Sequence, residues 1–397
     1  MAELEAFREE TRKWLQANAP ASMRAPVKST EDVCWGGRRR KEIYSADQLR
    51  WLDVNAERGF TAPTWPKELG GAGLSRVEAK VLAEEMAAQS LRPPLTGFGL
   101  AMIGPLLLQE GTDALKKQHL PPIVRGEIRW CQGYSEPGAG SDLASLQTKA
   151  VRDGDVYVVD GQKVWTSYAE KADWMFLLVR TDPNAKKQHG ITFVLMDMTS
   201  PGVSVKPIRL ISGASPFCET FLSGVRVPVA NVVGTENQGW AIARALLAHE
   251  RTMIGDIFKE RGDAELLVNA AREQYGDDGG RIADPIVRAE IASLEIDQVC
   301  LDLAMQRAKD GAKAGHKPGH ESSIFKLVGT ELNQRRRDLH CKILGPQALG
   351  WEGDGFEPEE LKATRDWLRS RANTIEGGTS EIQLNIIAKR VLELPGA

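Results

Sequence analysis

Apolar positions recur at helical spacing through the first 130 residues. Phe7, Trp14 and Leu15 lie near one face of a charged stretch, and Val77 to Ala88 is rich in Ala, Glu and Leu. Between them, the run Ala62-Pro63-Thr64-Trp65-Pro66-Lys67-Glu68-Leu69-Gly70-Gly71 breaks any helix, and Pro93-Pro94 and Pro121-Pro122 predict further breaks. Around Trp130 the pattern changes. Asp153-Gly154 and Asp160-Gly161 predict tight hairpin turns, because β-branched and aromatic residues flank them in Val156 to Val159 and Lys163 to Thr166. Strand-like runs follow at Trp174 to Val179, Ile191 to Met196, Val203 to Ile208 and Cys218 to Val227, which together predict an antiparallel sheet or small barrel. From about Gln238 helical periodicity returns, with helices predicted over 241–258, 284–310, 322–343, 361–369 and 380–392. The order helical, β, helical predicts an α+β chain divided at 1–127, 128–237 and 238–397.

Composition narrows the function. At 397 residues, 42% hydrophobic and 26% charged, the chain holds two or three packed units at roughly 150 residues each. Its 51 Lys and Arg against 54 Asp and Glu leave a net charge of -3, without the basic excess of a nucleic-acid binder. Apolar runs such as Trp174 to Val179 fall far short of the ~20 residues that span a bilayer, so no membrane partner is expected. The acidic start Met1-Ala2-Glu3-Leu4-Glu5 has neither a secretory nor a transit pattern, and a cytoplasmic protein is expected. The five cysteines (Cys34, Cys131, Cys218, Cys300, Cys341) form no C-x-x-C pair and read as reduced thiols, and the six scattered histidines, His316 and His320 among them, predict no metal site.

Four stretches carry candidate chemistry. In Tyr134-Ser135-Glu136-Pro137-Gly138-Ala139-Gly140-Ser141-Asp142, two glycines within three residues permit positive φ, so backbone N–H groups can converge on an anion or a polar ring edge; the alternative is a plain surface turn. In Val164-Trp165-Thr166-Ser167-Tyr168, an indole beside hydroxyl groups suits a heteroaromatic ring, although a half-buried strand has the same look. Glu250 falls inside the apolar stripe Trp240, Ala243, Leu247, Ile254, Phe258; a carboxylate there is either a desolvated general base or half of a structural ion pair. In Glu376-Gly377-Gly378-Thr379-Ser380-Glu381-Ile382-Gln383, Ser380 and Gln383 form a capping-box pattern whose glycines leave a helix N-terminus open to an anion such as a pyrophosphate. The run Arg335-Arg336-Arg337-Asp338 is most simply a solvated helix face.

Taken in order, these segments resemble the acyl-CoA dehydrogenase family over nearly the whole chain. Tyr134 to Asp142 is similar to its T/S-E-P-x-A-G-S-D signature, Val164 to Ser167 to its second flavin-contact strand, and Thr379 to Gln383 to its T-x-E-I-Q. The resemblance implies an N-terminal helical domain, a middle antiparallel β domain and a C-terminal four-helix-bundle-like domain. It implies FAD, touched by Gln132, Tyr134, Ser135, Gly140, Ser141, Trp165, Thr166, Ser167, Thr379 and Glu381. Ser141 and Arg251 would then contact an acyl-CoA thioester, and the expected reaction is α,β-dehydrogenation to the trans-2-enoyl-CoA, with electrons passed to an electron-transfer flavoprotein. The acyl group, whether from a fatty acid or a steroid side chain, stays open.

Two departures refine the resemblance. The family's usual base position, the Glu of a Tyr-Glu-Gly segment, is Gly377 here; Glu250-Arg251 instead resembles the isovaleryl- and long-chain-type enzymes, whose Glu precedes an Arg on the first long C-terminal helix. Glu250 is therefore the expected base and Glu376 the runner-up. The R-x-x-F-G segment by which a neighbouring subunit grips the ADP half of FAD is replaced between Gln274 and Pro285 by Tyr275-Gly276-Asp277-Asp278-Gly279-Gly280-Arg281. The chain is thus expected as a homo-oligomer or as a heterotetramer with a homologous subunit. The alternative functions are a flavin oxidase or monooxygenase on the same fold, and a catalytically silent partner subunit.

Overall fold

The computed structural model of the chain describes residues 2–27, 29–246, 262–315 and 319–395. Two compact units emerge: Met1–Ile208 with Pro216–Leu246, and Arg209–Ser215 with Leu247–Ala397.

The first unit opens with helices α1 (Ala2–Asn18), α2 (Arg40–Ile43), α3 (Ala46–Glu57), α4 (Arg76–Ala88), α5 (Gly104–Glu110) and α6 (Asp113–Val124). Local chemistry sets their starts. Ser45 and Ser75 each accept a backbone N–H three residues on, and Gln48 and Glu78 accept the serine's own N–H, so two orphan donors are satisfied at each helix. The apolar faces then pack: Leu15, Trp51 and Leu52 are fully buried, at about 1.5–3 kcal/mol each for the aliphatic side chains, and Trp14 meets Phe60 edge-on at 5.2 Å.

One predicted break is absent. Helix α6 runs through Pro121 and Pro122 although each removes a donor from the helix. Leu120, Ile123 and Val124 on that turn are at most 2% exposed, and this burial outweighs propensity; the carbonyls of Pro121 and Pro122 still accept from Arg125 and Glu127 at 3.1 and 2.8 Å.

A seven-stranded sheet follows: β1 (Trp130–Gly133), β2 (Lys149–Asp153), β3 (Val156–Ser167), β4 (Trp174–Arg180), β5 (Ile191–Asp197), β6 (Val203–Ile208) and β7 (Phe217–Pro228). The order is β1-β4-β2-β3-β7-β6, with β5 also on β4. The strands predicted from alternation are present, but the sheet is mixed, because β4 runs parallel to both β1 and β2 while the other pairings are antiparallel. β4 and β5 are buried along almost their whole length, which is why both read as continuous apolar runs.

The two predicted turns fare differently. Asp153 pairs with Val156, so the first hairpin closes on Gly154-Asp155, one residue later than expected, with Gly154 at φ +64°. Asp160-Gly161 makes no turn: β3 runs straight through it as one strand. A register shift opposite these residues makes a bulge, the Asp160 carboxylate accepts the Gly224 N–H at 2.8 Å, and a Cβ on Gly161 would lie 2.5 Å from Thr148 Oγ1. The glycine is there for close approach.

The second unit holds α7 (Gly262–Tyr275), a short hairpin of β8 (Asp277–Asp278) and β9 (Arg281–Ile282), then α8 (Pro285–Lys313), α9 (Ser322–Leu344), α10 (Pro358–Ser370) and α11 (Ser380–Ile386). Leu267, Ile291, Leu294, Leu332, Leu339 and Ile343 lie in one buried cluster across α7, α8 and α9. The acidic segment that replaces R-x-x-F-G is the hairpin itself: Gly279 and Gly280 turn it at φ +59° and +85°, and Arg272 ties it down through Asp277 at 3.1 Å and the Gly280 carbonyl at 2.7 Å.

Candidate functional site

The loop that follows β1 is held from within. Glu136 and Ala139 exchange both backbone hydrogen bonds at 3.0 Å, which turns the chain tightly about Pro137-Gly138. The Glu136 side chain then points inward, 8% exposed as a residue. Its carboxylate accepts from Gln147 N at 2.6 Å, Thr148 N at 2.9 Å and Lys163 Nζ at 2.8 Å, and the same ammonium donates to the Tyr134 carbonyl at 3.2 Å. Burial lowers the Lys163 pKa to about 8, with the charge of Glu136 holding it up against that fall. Burial pushes the Glu136 carboxyl up, yet the charge and hydrogen bond of Lys163 and the donors at Thr148 and Gln147 leave it below its usual range.

That pin brings two sequence-predicted segments side by side. Val164 N donates to the Ser135 carbonyl at 2.9 Å, so the signature loop lies along the second half of β3. There the register to β7 slips between Lys163 and Thr166, with one extra residue on β3. Trp165 sits in this bulge at φ +60°, a left-handed conformation that costs a non-glycine residue roughly 1–3 kcal/mol. Its indole is 54% exposed and edge-on to Phe217 at 6.0 Å. A bulge re-aims a side chain, and here it presents a large aromatic face beside the loop. Thr166 is fully buried with an Oγ1 that has no hydrogen-bond partner, and Ser167, half-buried, pairs with Phe217.

Gln132, Ser135, Trp165, Thr166 and Ser167 therefore share one region, with Gly140 and Ser141 on the exposed limb of the loop. The ring of Tyr134 packs edge-on against Phe176 and Phe193, in the core. The expected positive φ at Gly138 and Gly140 is not found: neither is left-handed, and a Cβ on either would meet nothing within 4 Å. The loop is shaped by the Glu136 carboxylate, and its glycines leave open space on the outer side. Glu136 and Lys163 escaped the sequence reading; the available signal was strand parity, since Tyr157, Val159, Gly161 and Lys163 alternate along one face of β3, where a lysine needs an acid.

Thr379 and Glu381 belong to the second unit. The N-cap of α11 is Thr379, one residue before the predicted Ser380: its Oγ1 accepts from Ile382 N at 3.3 Å, while Gln383 Nε2 donates to the carbonyls of Gly377 and Gly378. Gly377 and Gly378 do take positive φ, +64° and +90°, which lets the chain fold back over Gln383. The exposed Glu381 carboxyl is lowered by its own backbone N–H and by the Thr379 hydroxyl. Glu376 is engaged by Arg369 at 2.8 Å and Asn373 at 2.6 Å. Glu250 and Arg251 lie outside the described residues; residues 239–246 before them are helical, with Ala243 and Leu246 fully buried. Among the described residues no group of three or more His, Cys, Asp or Glu is placed to hold a metal, and no helix is long and apolar enough to cross a membrane.

Three domain families match along the chain: the acyl-CoA dehydrogenase N-terminal domain over residues 1–127, the middle domain over 131–225 and the C-terminal domain over 237–392. The chain belongs to the acyl-CoA dehydrogenase family. Members are oxidoreductases acting on acyl-CoA, and the α+β architecture described above is that of the family. The chain is similar to the acyl-CoA dehydrogenase IpdE1 of Mycobacterium tuberculosis (34% identical over 397 residues, 100% of this chain and 99% of that protein). It is 40% identical over 350 residues to the acyl-CoA dehydrogenase FadE34 of the same organism, covering 86% of this chain but 45% of FadE34, so it spans less than half the length of that relative. Among solved structures, the ChsE4-ChsE5 complex from Mycobacterium tuberculosis aligns at a TM-score of 0.73 and 31% identity, over 100% of this chain and 99% of that one.

Proposed function

We propose that this chain carries out FAD-dependent α,β-dehydrogenation of an acyl-CoA thioester to the trans-2-enoyl-CoA, and that its electrons pass to an electron-transfer flavoprotein. The observation that carries the reading is the seam between Ser135 and Val164, beside which a strained bulge presents the Trp165 indole. The residues fit the flavin. Thr166 offers an orphaned buried hydroxyl, Gly138 and Gly140 leave room for close approach, and Trp165 supplies an exposed aromatic wall.

When bound, FAD supplies the two-electron acceptor for the β hydrogen. Gln132, Ser135, Trp165, Thr166 and Ser167 would hold and orient it, with Gly140 and Ser141 lining the loop toward the thioester; Thr379 and Glu381 are the further flavin contacts that the family signature T-x-E-I-Q implies. Tyr134 contributes through its backbone, because its ring is committed to the core. Glu250 accepts the α proton and Arg251 assists in binding substrate. Glu376 is the weaker base candidate, since its carboxylate is already shared between Arg369 and Asn373. Two things support assembly with a homologous subunit: an acidic hairpin stands where R-x-x-F-G would be, and the related ChsE4-ChsE5 is a complex of two named proteins.

The test is anaerobic bleaching of the purified flavoprotein by straight, branched and ring-bearing acyl-CoA thioesters. Glu250→Gln keeps the shape but removes the proton acceptor, and the bleaching rate should fall ~100- to 10,000-fold with FAD retained. Glu376→Gln should cost far less. The reverse ranking would move the base to the C-terminal loop, and a chain that bleaches with no thioester overturns the reading.

A further inference from the structure

Arg129 stands immediately before β1, 6% exposed, and its Nε is buried with no hydrogen-bond partner. Its guanidinium lies 4.9 Å from the Trp35 ring centre and 5.3 Å from that of Tyr168, so two aromatic faces hold the charge. The Tyr44 hydroxyl makes a side-chain hydrogen bond with the guanidinium, and the carboxylates of Glu170 and Asp173 favour its charge from nearby while bonding other partners. Asp173 Oδ2 accepts the backbone N–H groups of Arg38 and Arg129 at 3.0 and 2.8 Å, and Glu170 Oε2 accepts the Cys218 thiol at 3.0 Å. A buried guanidinium left with a free donor is costly and marks a place for an acceptor from outside the chain.

The place is defined. Arg129 lines a niche of about 10 Å³, bounded also by Trp35, Thr96, Phe98, Gly99 and Trp130, with room for one oxygen-sized group. Two of the residues around Arg129 adjoin the candidate site along the chain: Tyr168, whose ring faces the guanidinium, directly follows Ser167, and Trp130, which lines the niche, begins the strand that carries Gln132. Its lining also takes in Leu95 to Leu100, the segment that leads into α5.

We propose that Arg129 is a specificity-determining residue that reads a carbonyl or carboxylate oxygen at the end of the acyl group remote from the thioester. This rests on the proposed function, in which Trp165, Thr166 and Ser167, next to Tyr168 in the chain, belong to the site. A plain alkyl terminus leaves the Nε donor unpaired, and an oxygen-bearing terminus satisfies it. Sites built around a polar partner discriminate strongly against analogues that lack it.

The experiment uses the FAD-loaded protein, with its partner subunit where one is needed. Three acyl-CoA thioesters of equal chain length are compared in anaerobic bleaching: one with a plain alkyl end, one with a terminal-region ketone and one with a terminal carboxylate. The wild type should favour an oxygen-bearing thioester by about 10- to 100-fold in kcat/KM. Arg129→Met should erase that preference while the plain thioester stays within about threefold, and Arg129→Lys should restore it only in part, because an ammonium cannot reproduce the planar donor fork. A wild type without preference, the sign of a niche that holds only water, overturns the inference whatever the variants do. So does an Arg129→Met protein that loses rate equally on all three. If Arg129→Met does not keep its flavin, the wild-type preference and Arg129→Lys decide. Bleaching by the plain thioester alone upholds the proposed function and sinks this inference; bleaching by none sinks both.

Discussion

Removing the ammonium of Lys163 tests the pin beneath the signature loop. In Lys163→Met the apolar stem is nearly conserved, so packing changes little, while Glu136 keeps its charge in a site 8% exposed. Two of the three donors to that carboxylate remain, Gln147 N and Thr148 N at 2.6 and 2.9 Å, which places the cost at the lower end of the range for a broken buried pair, about 3 kcal/mol. Glu136→Gln should cost at least as much, because an amide offers one acceptor oxygen to three donors and leaves Lys163 buried without its counter-charge. Removing both charges is different. Lys163→Met combined with Glu136→Gln deletes both charges and leaves an amide oxygen for the loop donors, and the double variant should be more stable than the sum of the two singles predicts by about 2 kcal/mol or more. Chemical denaturation followed by tryptophan fluorescence and by circular dichroism measures each arm. Additive singles, or a Lys163→Met protein within about 0.5 kcal/mol of wild type, would show that the pair is idle and that the loop owes its shape to something else.

Other consequences are as direct. Glu136 has a folded pKa below its usual 4.5, so on acidification the unfolded chain takes up the proton first; this part of the stability is complete above about pH 4.5 and lost as pH falls through the folded value. The double variant should lack that acid-limb contribution in denaturation curves from pH 3 to 6. Trp165→Gly should relieve left-handed strain and leave the fold at least as stable, within about 1 kcal/mol, while FAD affinity falls by tenfold or more in a fluorescence titration; unchanged affinity would remove Trp165 from the site. Gly140→Ala should leave thermal stability unchanged, since φ is ordinary and the Cβ meets nothing within 4 Å. Gly378→Ala, at φ +90° with Gln383 Nε2 only 2.5 Å from the new Cβ, should cost ~1 kcal/mol or more and weaken the cap of α11 in the same melt.

Strands and helices were legible wherever one face alone is buried. The alternation in Val156 to Val159 and the apolar runs of β4 and β5 carry their structure in their own composition. Misreadings fell where a distant residue decides. Asp160-Gly161 has turn composition, but Gly224 and Thr148, remote in sequence, claim its carboxylate and its empty Cβ position. Pro121-Pro122 stays helical because packing of Leu120 and Ile123 dominates. The candidate site was legible as a list of segments, since ligand loops draw on unusual residue types. What joins them was not, because the pin from Lys163 to Glu136 spans 27 positions and looks, residue by residue, like ordinary surface charge. The Arg129 niche had no signal at all; a lone arginine ahead of a strand is unremarkable until Trp35 and Tyr168 close over it.

The carboxylate of Glu136 also bears on how the segment ahead of β2 exchanges with solvent. Gln147 and Thr148 precede β2, and loop amides of this kind ordinarily swap hydrogen for deuterium within moments. Here both donate to a carboxylate that Lys163 also ties to β3, so their exchange should be slower than that of the loop amides around them. Two loop hydrogens thus report, from outside the sheet, how often the carboxylate swings away from its donors.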